Sequence, residues 1–376
     1  MAASLRVLRR RIKSTKNIAQ ITKAMEMVAA SRISKAQARV SAARPYSDEF
    51  THVLTTAARA GASDHPLLVA RESVSRVGIL VITSDRGLCG GYNANVLREV
   101  ERLDRQLRDA GREPVLFVIG EKGETYFRFR NRETAGVWTG FSEVPDYANA
   151  SHAADTMTAC FLAGGEDTVS AGSDDSSGES GGDSDGEASS QGGSSRGGSS
   201  FVPPDDAEGL GGVDELYIVF TEFTSMASQT VQGRQIAPLQ LDEEQESGDG
   251  GSGSDGSGSD GSGSGESSSS NSGDGSEREA EYSFEPEPEV LFDSLLPKYI
   301  RARVFASLLD AAASESAARQ RAMKAATDNA NDLVDNLTRE SNQARQAQIT
   351  QEISEIVSGS DALAQLASTI ERSRKP

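Results

Sequence analysis

Two cysteines, three histidines and one tryptophan stand among 376 residues. Cys89 and Cys160 are too few and too far apart for a disulfide framework or a multi-cysteine metal motif, so the expected compartment is a reducing one. His52, His65 and His152 show no H-x-x-x-H or H-E-x-x-H spacing, which excludes a histidine-built metal centre. No apolar run approaches the about 18 residues of a membrane-spanning helix, and the Arg-rich start has no apolar leader segment. The sequence reads as a soluble chain without metal or cofactor.

Charge is unevenly placed. The formal net charge is −19, from 57 acids and 38 bases. Residues 164–212 hold 11 acids against Arg196, and 242–289 hold 15 against Arg278, which leaves 31 acids and 36 bases elsewhere. The remainder is therefore about +5, neither an acid-coated fold nor a strongly basic nucleic-acid binder. Asp183–Glu187 resembles an oxygen-ligand loop, but its Gly comes too early for an EF-hand and no Glu stands at the twelfth position. The Gly-Ser-Asp repeats of 251–265 lack the apolar residue of a calcium-binding β-roll. Both stretches, 164–212 and 242–281, are expected to be disordered acidic inserts.

Glycine and proline are absent from Ser4 to Arg44, where Leu5, Leu8, Ile12, Ile18, Ile21, Met25, Val28, Ile33, Ala36 and Val40 recur mostly every three or four residues. That is one helix with a single apolar stripe, about 60 Å long, expected to break at Pro45. From Lys298 to Ser358 both residues are absent again, over about 90 Å of helix threaded by Val304, Leu308, Ala312, Ala322, Ala326, Leu333, Leu337, Ala344, Ile349, Ile353 and Ile356. Helices this long cannot hide their stripes in a small globule, so they are expected to wind together as a thin coiled coil.

Between them the period changes. Val77–Thr83, Val115–Ile119 and Leu216–Thr221 are short apolar runs typical of strands buried on both faces, with helical stretches near 93–110 and 146–163 and a following strand at Gln235–Leu241. Strand, helix, strand, helix implies an open α/β, Rossmann-like sheet with right-handed crossovers.

Ser84–Asn93 (SDRGLCGGYN) joins the first strand to a helix, where a phosphate loop would sit, but it is neither G-x-G-x-x-G nor G-x-x-x-x-G-K-[ST] and lacks the Lys. It reads as a packing turn, and Cys89 within it as a turn-lining thiol, since no histidine motif accompanies it. The first helix carries eleven bases before Pro45 against Glu26 alone, spread over its length with no interleaved aromatic. This suits a partner cavity lined with carboxylates better than DNA or a lipid surface.

Three blocks carry a family resemblance: Arg11–Gln37 (RIKSTKNIAQITKAMEMVAASRISKAQ), Ser84–Asn95 (SDRGLCGGYNAN) and Glu315–Ser360, which contains ITQE followed by EIVSGS. With Tyr282–Leu296 added, the sequence resembles the gamma subunit of the bacterial F-type ATP synthase. The resemblance implies an antiparallel coiled coil of the N- and C-terminal helices (1–60 and 288–376), carrying a foot domain built from 74–163 and 213–241. It implies a non-catalytic rotor shaft that couples proton flow to ATP synthesis. The implied partners are three alpha and three beta subunits, an epsilon subunit and the c-subunit ring, with no nucleic acid. Location would be the cytoplasmic face of the plasma membrane, peripheral, with membrane contact only through the c ring.

By the same resemblance Met25, Arg319, Arg345, Gln346, Thr350 and Glu352 are expected to contact the alpha–beta ring. Asp85, Arg86, Gly87, Gly90, Gly91 and Asn93 are expected in the foot, with Thr224–Gln232 near the c ring. The inserts are longer than family loops and contain no Cys, which excludes a thiol switch there; they read as a solubilising brush or as a brake on the stator. An enzyme built on the middle domain would need a phosphate motif that the loop lacks. A homodimeric coiled-coil scaffold would not need two compatible helices flanking one domain.

Overall fold

The computed structural model describes residues 2–59, 68, 71, 73–164, 167–169, 204, 207–239 and 288–373. In chain order these form α1 (Ala2–Arg59), β1 (Arg76–Ile82), α2 (Tyr92–Asp109), β2 (Glu113–Ile119), α3 (Glu121–Phe129), β3 (Gly136–Trp138), α4 (Tyr147–Ala163), β4 (Glu215–Phe223), β5 (Gln229–Ala237) and α5 (Pro288–Ser373). The acidic stretch 242–281 lies outside the described residues, as does most of 164–212.

The sheet has the order β3-β2-β1-β4-β5, with β5 antiparallel to β4 and the other pairs parallel. Alternate residues of β1 face opposite layers. Val77, Ile79 and Val81 pack under α2 and α3 with Val96, Val100 and Phe127, whereas Leu80 and Ile82 join Met157 of α4 and Ile300, Val304 and Leu308 of α5. Burial on both faces explains why these strands are unbroken apolar runs.

Three elements depart from expectation. α3 and β3 carry little signal: β3 has three residues, and α3 is nine residues long and includes Gly123. A Cβ at Gly123 would lie 2.7 Å from Thr83 Oγ1 and 2.8 Å from Val118, so close helix–sheet packing demands a residue that weakens helix propensity. β5 starts at Gln229 rather than Gln235, because this edge strand (QTVQGRQIA) is polar where water reaches it.

α1 and α5 run antiparallel. Phe50 stacks on Tyr299 at 6.1 Å, and the hydroxyls of Thr22 and Thr327 meet at 2.8 Å. α1 does not stop at Pro45 but continues to Arg59. The missing N–H removes one rung, and the next turns are held by burial of Leu54 and Phe50 against the domain core.

The seam also differs from the apolar stripe. Thr15, Ala19, Ala29 and Ile33 are buried, while Ile18, Ile21, Met25 and Val28 are 51%, 55%, 39% and 53% exposed. On α5 the seam passes through Met323, Thr327, Ala330 and Leu337, leaving Leu333 outside. Small residues occupy the interface because the helices approach closely; the threonine hydroxyls are satisfied by carbonyls one turn earlier, such as Arg11 O for Thr15 at 3.0 Å and Met323 O for Thr327 at 2.9 Å.

α5 has three stretches of different character. Residues 311–317 are all buried in the domain, 320–348 are covered on one side by α1, and 351–366 are exposed throughout. One helix is thus core, half of a pair, and then a bare tip.

Candidate functional site: the collar between domain and helices

The loop after β1 is built from its own side chains. Ser84 N donates to Asn93 Oδ1 at 3.0 Å, Asn93 Nδ2 donates to Ser84 Oγ at 2.7 Å, and Ser84 Oγ donates to Arg86 O at 2.7 Å. Asp85 Oδ2 accepts from Ser142 N at 2.9 Å and Oδ1 from Glu121 N at 3.2 Å, tying the loop to the segment before α4 and to the start of α3. Leu88 and Gly90 take left-handed φ values of 63° and 60°, and a Cβ at Gly90 would come 3.5 Å from Ala322 of α5. Gly90 supplies the left-handed bend with which the loop seats against the long helix. Asp85, Arg86, Gly87, Gly90, Gly91 and Asn93 are brought together in this one turn.

Arg319 meets them there. Its Nη2 donates to Glu315 at 2.6 Å and to the carbonyls of Arg86 and Gly87 at 3.2 and 3.3 Å, and its Nη1 lies 3.2 Å from Glu143. With 12% of its side chain exposed, Arg319 is turned into the collar rather than outward toward a partner. Glu143 also pairs with Arg86 at 3.5 Å and with Arg32 of α1. Glu315 is 1% exposed, and burial pushes its carboxyl up to about 7 even though Arg319 opposes the shift. Tyr92 is likewise raised well above its usual value, first by burial and then by the charge of Glu315. Cys89 is buried in the turn with Asn93 Nδ2 3.3 Å from its sulfur, and burial pushes the Cys160 thiol up to about 11, which keeps it protonated.

The remaining expected contacts lie elsewhere. Met25, Arg345, Gln346, Thr350 and Glu352 are exposed on the projecting helices, with Glu352 accepting from Gln348 at 2.9 Å. The turn between β4 and β5 lies at the collar: Arg321 Nη1 donates to Ala227 O at 2.6 Å. Thr224–Gln232 thus begins beside the shaft, not at the opposite end of the sheet. That opposite end holds the neck of the first acidic stretch, where Val169 N donates to Leu210 O and Gly209 N to Val169 O, both at 2.9 Å.

Sequence reasoning missed Arg32, Glu143 and Glu315. The pair Glu315–Arg319 has the i,i+4 spacing of a helical ion pair and was detectable. Glu143 lies in a loop with no motif, and only the fold gathers arginines around it.

Among the described residues no helix is long and apolar enough to cross a membrane, and no group of three metal-ligating side chains occurs.

A family model described as ATP synthase matches residues 4–363. The chain is 47% identical over 366 residues to the ATP synthase gamma chain of Saccharopolyspora erythraea and 50% identical over 364 residues to that of Mycolicibacterium smegmatis, each alignment covering 97% of this chain and 99% of the relative. Among solved structures, the fold resembles a chain from the Euglena gracilis mitochondrial ATP synthase (OSCP/F1/c-ring, rotational state 3), with a TM-score of 0.55 at 15% identity, covering 96% of this chain and 95% of that one. Near-complete coverage by the family model and by relatives of this similarity makes the chain a member of the ATP synthase gamma chain family.

Proposed function

We propose that this chain is the central rotor shaft of a proton-translocating F-type ATP synthase, non-catalytic itself. It would carry torque from a c-subunit ring at the cytoplasmic face of the membrane to a ring of three alpha and three beta subunits. The observation that carries the reading is the helix pair. Beyond the collar at Arg319, α5 runs on to Ser373, about 80 Å at helical rise, paired with α1 as far as about residue 348 and bare over 351–366. The outward apolar side chains of the two helices are not those of a free surface: Ile21 and Met27 of α1 and Ile353, Ile356 and Leu363 of α5 are 55–72% exposed. A ring closing around them would bury them.

On this reading the pair is an antiparallel coiled coil. Met25 and Ile21 face the lower bore, whereas Arg345, Gln346, Thr350 and Glu352 offer hydrogen-bonding and charged groups near the tip. Arg319 is reassigned from ring contact to the internal joint, because its donors are already engaged within the chain. The eleven bases of α1 before Pro45 favour a cavity lined with carboxylates. The foot, 74–163 and 213–241, would meet the c ring and epsilon subunit through the end of the sheet remote from the collar.

Co-expression with alpha and beta subunits, followed by size-exclusion and mass measurement, tests the assignment. One copy of this chain per six large subunits is expected. A chain that elutes alone, or pairs only with itself, rejects it.

A further inference from the structure

We infer that Glu143 is a torsional clasp that locks the foot to both shaft helices; this rests on the rotor reading above. Glu143 belongs to the loop between β3 and α4, and its carboxylate is reached by Arg32 of α1, Arg319 of α5 and Arg86 of the loop after β1. Arg32 and Arg319 stand at one level of the antiparallel pair: the contacts Thr22–Thr327 and Phe50–Tyr299 bracket them on either side. That level is where α5 stops being core and the helix pair emerges.

The two helices receive load from the foot differently. α5 is buried in the foot through residues 311–317, so foot rotation carries it directly. α1 is held near this level by the apolar wedge of Ile33 against Phe223, Ala313 and Ala317, below it by Phe50 and Leu54 in the domain core, and above it by a seam of small side chains. Apolar contacts resist separation but give little direction against sliding. A carboxylate shared between arginines of both helices is directional; Glu143 and Arg319 are largely shielded, 13% and 12% exposed, while Arg32 on the α1 side is 38% exposed. Without it Arg32, Arg86 and Arg319 would repel one another, and of the described carboxylates paired with them only Glu315 would remain.

The test uses the full chain assembled with alpha and beta subunits. Cys89 and Cys160 are buried, so a cysteine placed at Phe129, which is 87% exposed on the foot, takes a rotation probe selectively. Angular fluctuations of the probe are recorded while the complex is stalled with nucleotide. Because α5 stays anchored in the core and Phe50 and Leu54 still hold α1 lower down, E143Q removes only the clasp's share of the stiffness and raises the angular variance above wild type by less than about twofold. E143D, which keeps the charge, restores part of it, and R105Q on the exposed face of α2 leaves it unchanged. Should E143Q not assemble, R32M removes only the α1 arm and is expected to raise the variance in the same direction. Wild-type variance in E143Q, or in R32M where that variant substitutes, overturns the clasp. Rotation of the wild-type probe is unaffected by either result; its absence would instead reject the rotor reading.

Discussion

Glu315→Gln separates the cost of burying a charge from the benefit of the Arg319 contact. The Glu315 carboxyl is 1% exposed and pushed from 4.5 to about 7, chiefly by burial. A carboxyl whose folded pKa is raised gives stability that is fully present below the unfolded pKa and is lost as pH rises through the folded one. At about 1.36 kcal/mol per unit, the wild type should lose on the order of 3 kcal/mol between pH 4.5 and pH 8 relative to a chain with no titrating group there. Asp310, raised to about 6 mainly by burial, titrates in both chains and cancels in the difference. Urea denaturation of wild type and E315Q, followed by the fluorescence of Trp138, which stacks on Phe117 within the sheet domain, gives that difference at each pH. The stability of E315Q minus wild type should climb steadily from pH 4.5 to 8. A flat difference, or one that falls, refutes the argument whatever its absolute value.

Other substitutions probe the remaining links. T327V removes a hydroxyl that meets Thr22 across the seam and should cost about 1 kcal/mol in denaturation experiments. I33A empties the wedge against Phe223 and the α5 alanines and should cost about 3 kcal/mol. G120A should cost roughly 3 kcal/mol or more, since Gly120 has φ of 101° and a Cβ there would lie 2.4 Å from the Thr83 carbonyl; a soluble chain of wild-type stability contradicts the geometry. I356D, at a side chain 72% exposed on the bare tip, should leave the isolated chain within about 0.5 kcal/mol of wild type while weakening ATP-driven rotation of the assembled complex.

The parts of the fold readable from sequence were those set by composition over long stretches. Freedom from Gly and Pro from Ser4 to Arg44 and from Lys298 to Ser358 marks the two long helices, and runs such as Val77–Thr83 mark strands covered on both sides. Side-chain size defeats the hydrophobic stripe: close helix approach buries Thr15 and Ala19, half-buries Thr22 and turns Ile18, Ile21 and Met25 outward. Pro45 misleads because tertiary contacts at Phe50 and Leu54 outweigh one missing rung. In the site, the turn Asp85–Asn93 could be placed by its glycines and by resemblance. The role of Arg319 and the presence of Glu143 depend on partners distant in sequence, to which no local pattern points.

Rotation itself is the most direct test. With alpha and beta subunits fixed to a surface and a probe on a cysteine at Phe129, ATP should drive the probe in one direction with three equal pauses per turn. A probe that holds its angle while the same complexes hydrolyse ATP at full rate would show that this chain does not turn with catalysis, and the shaft account would fail.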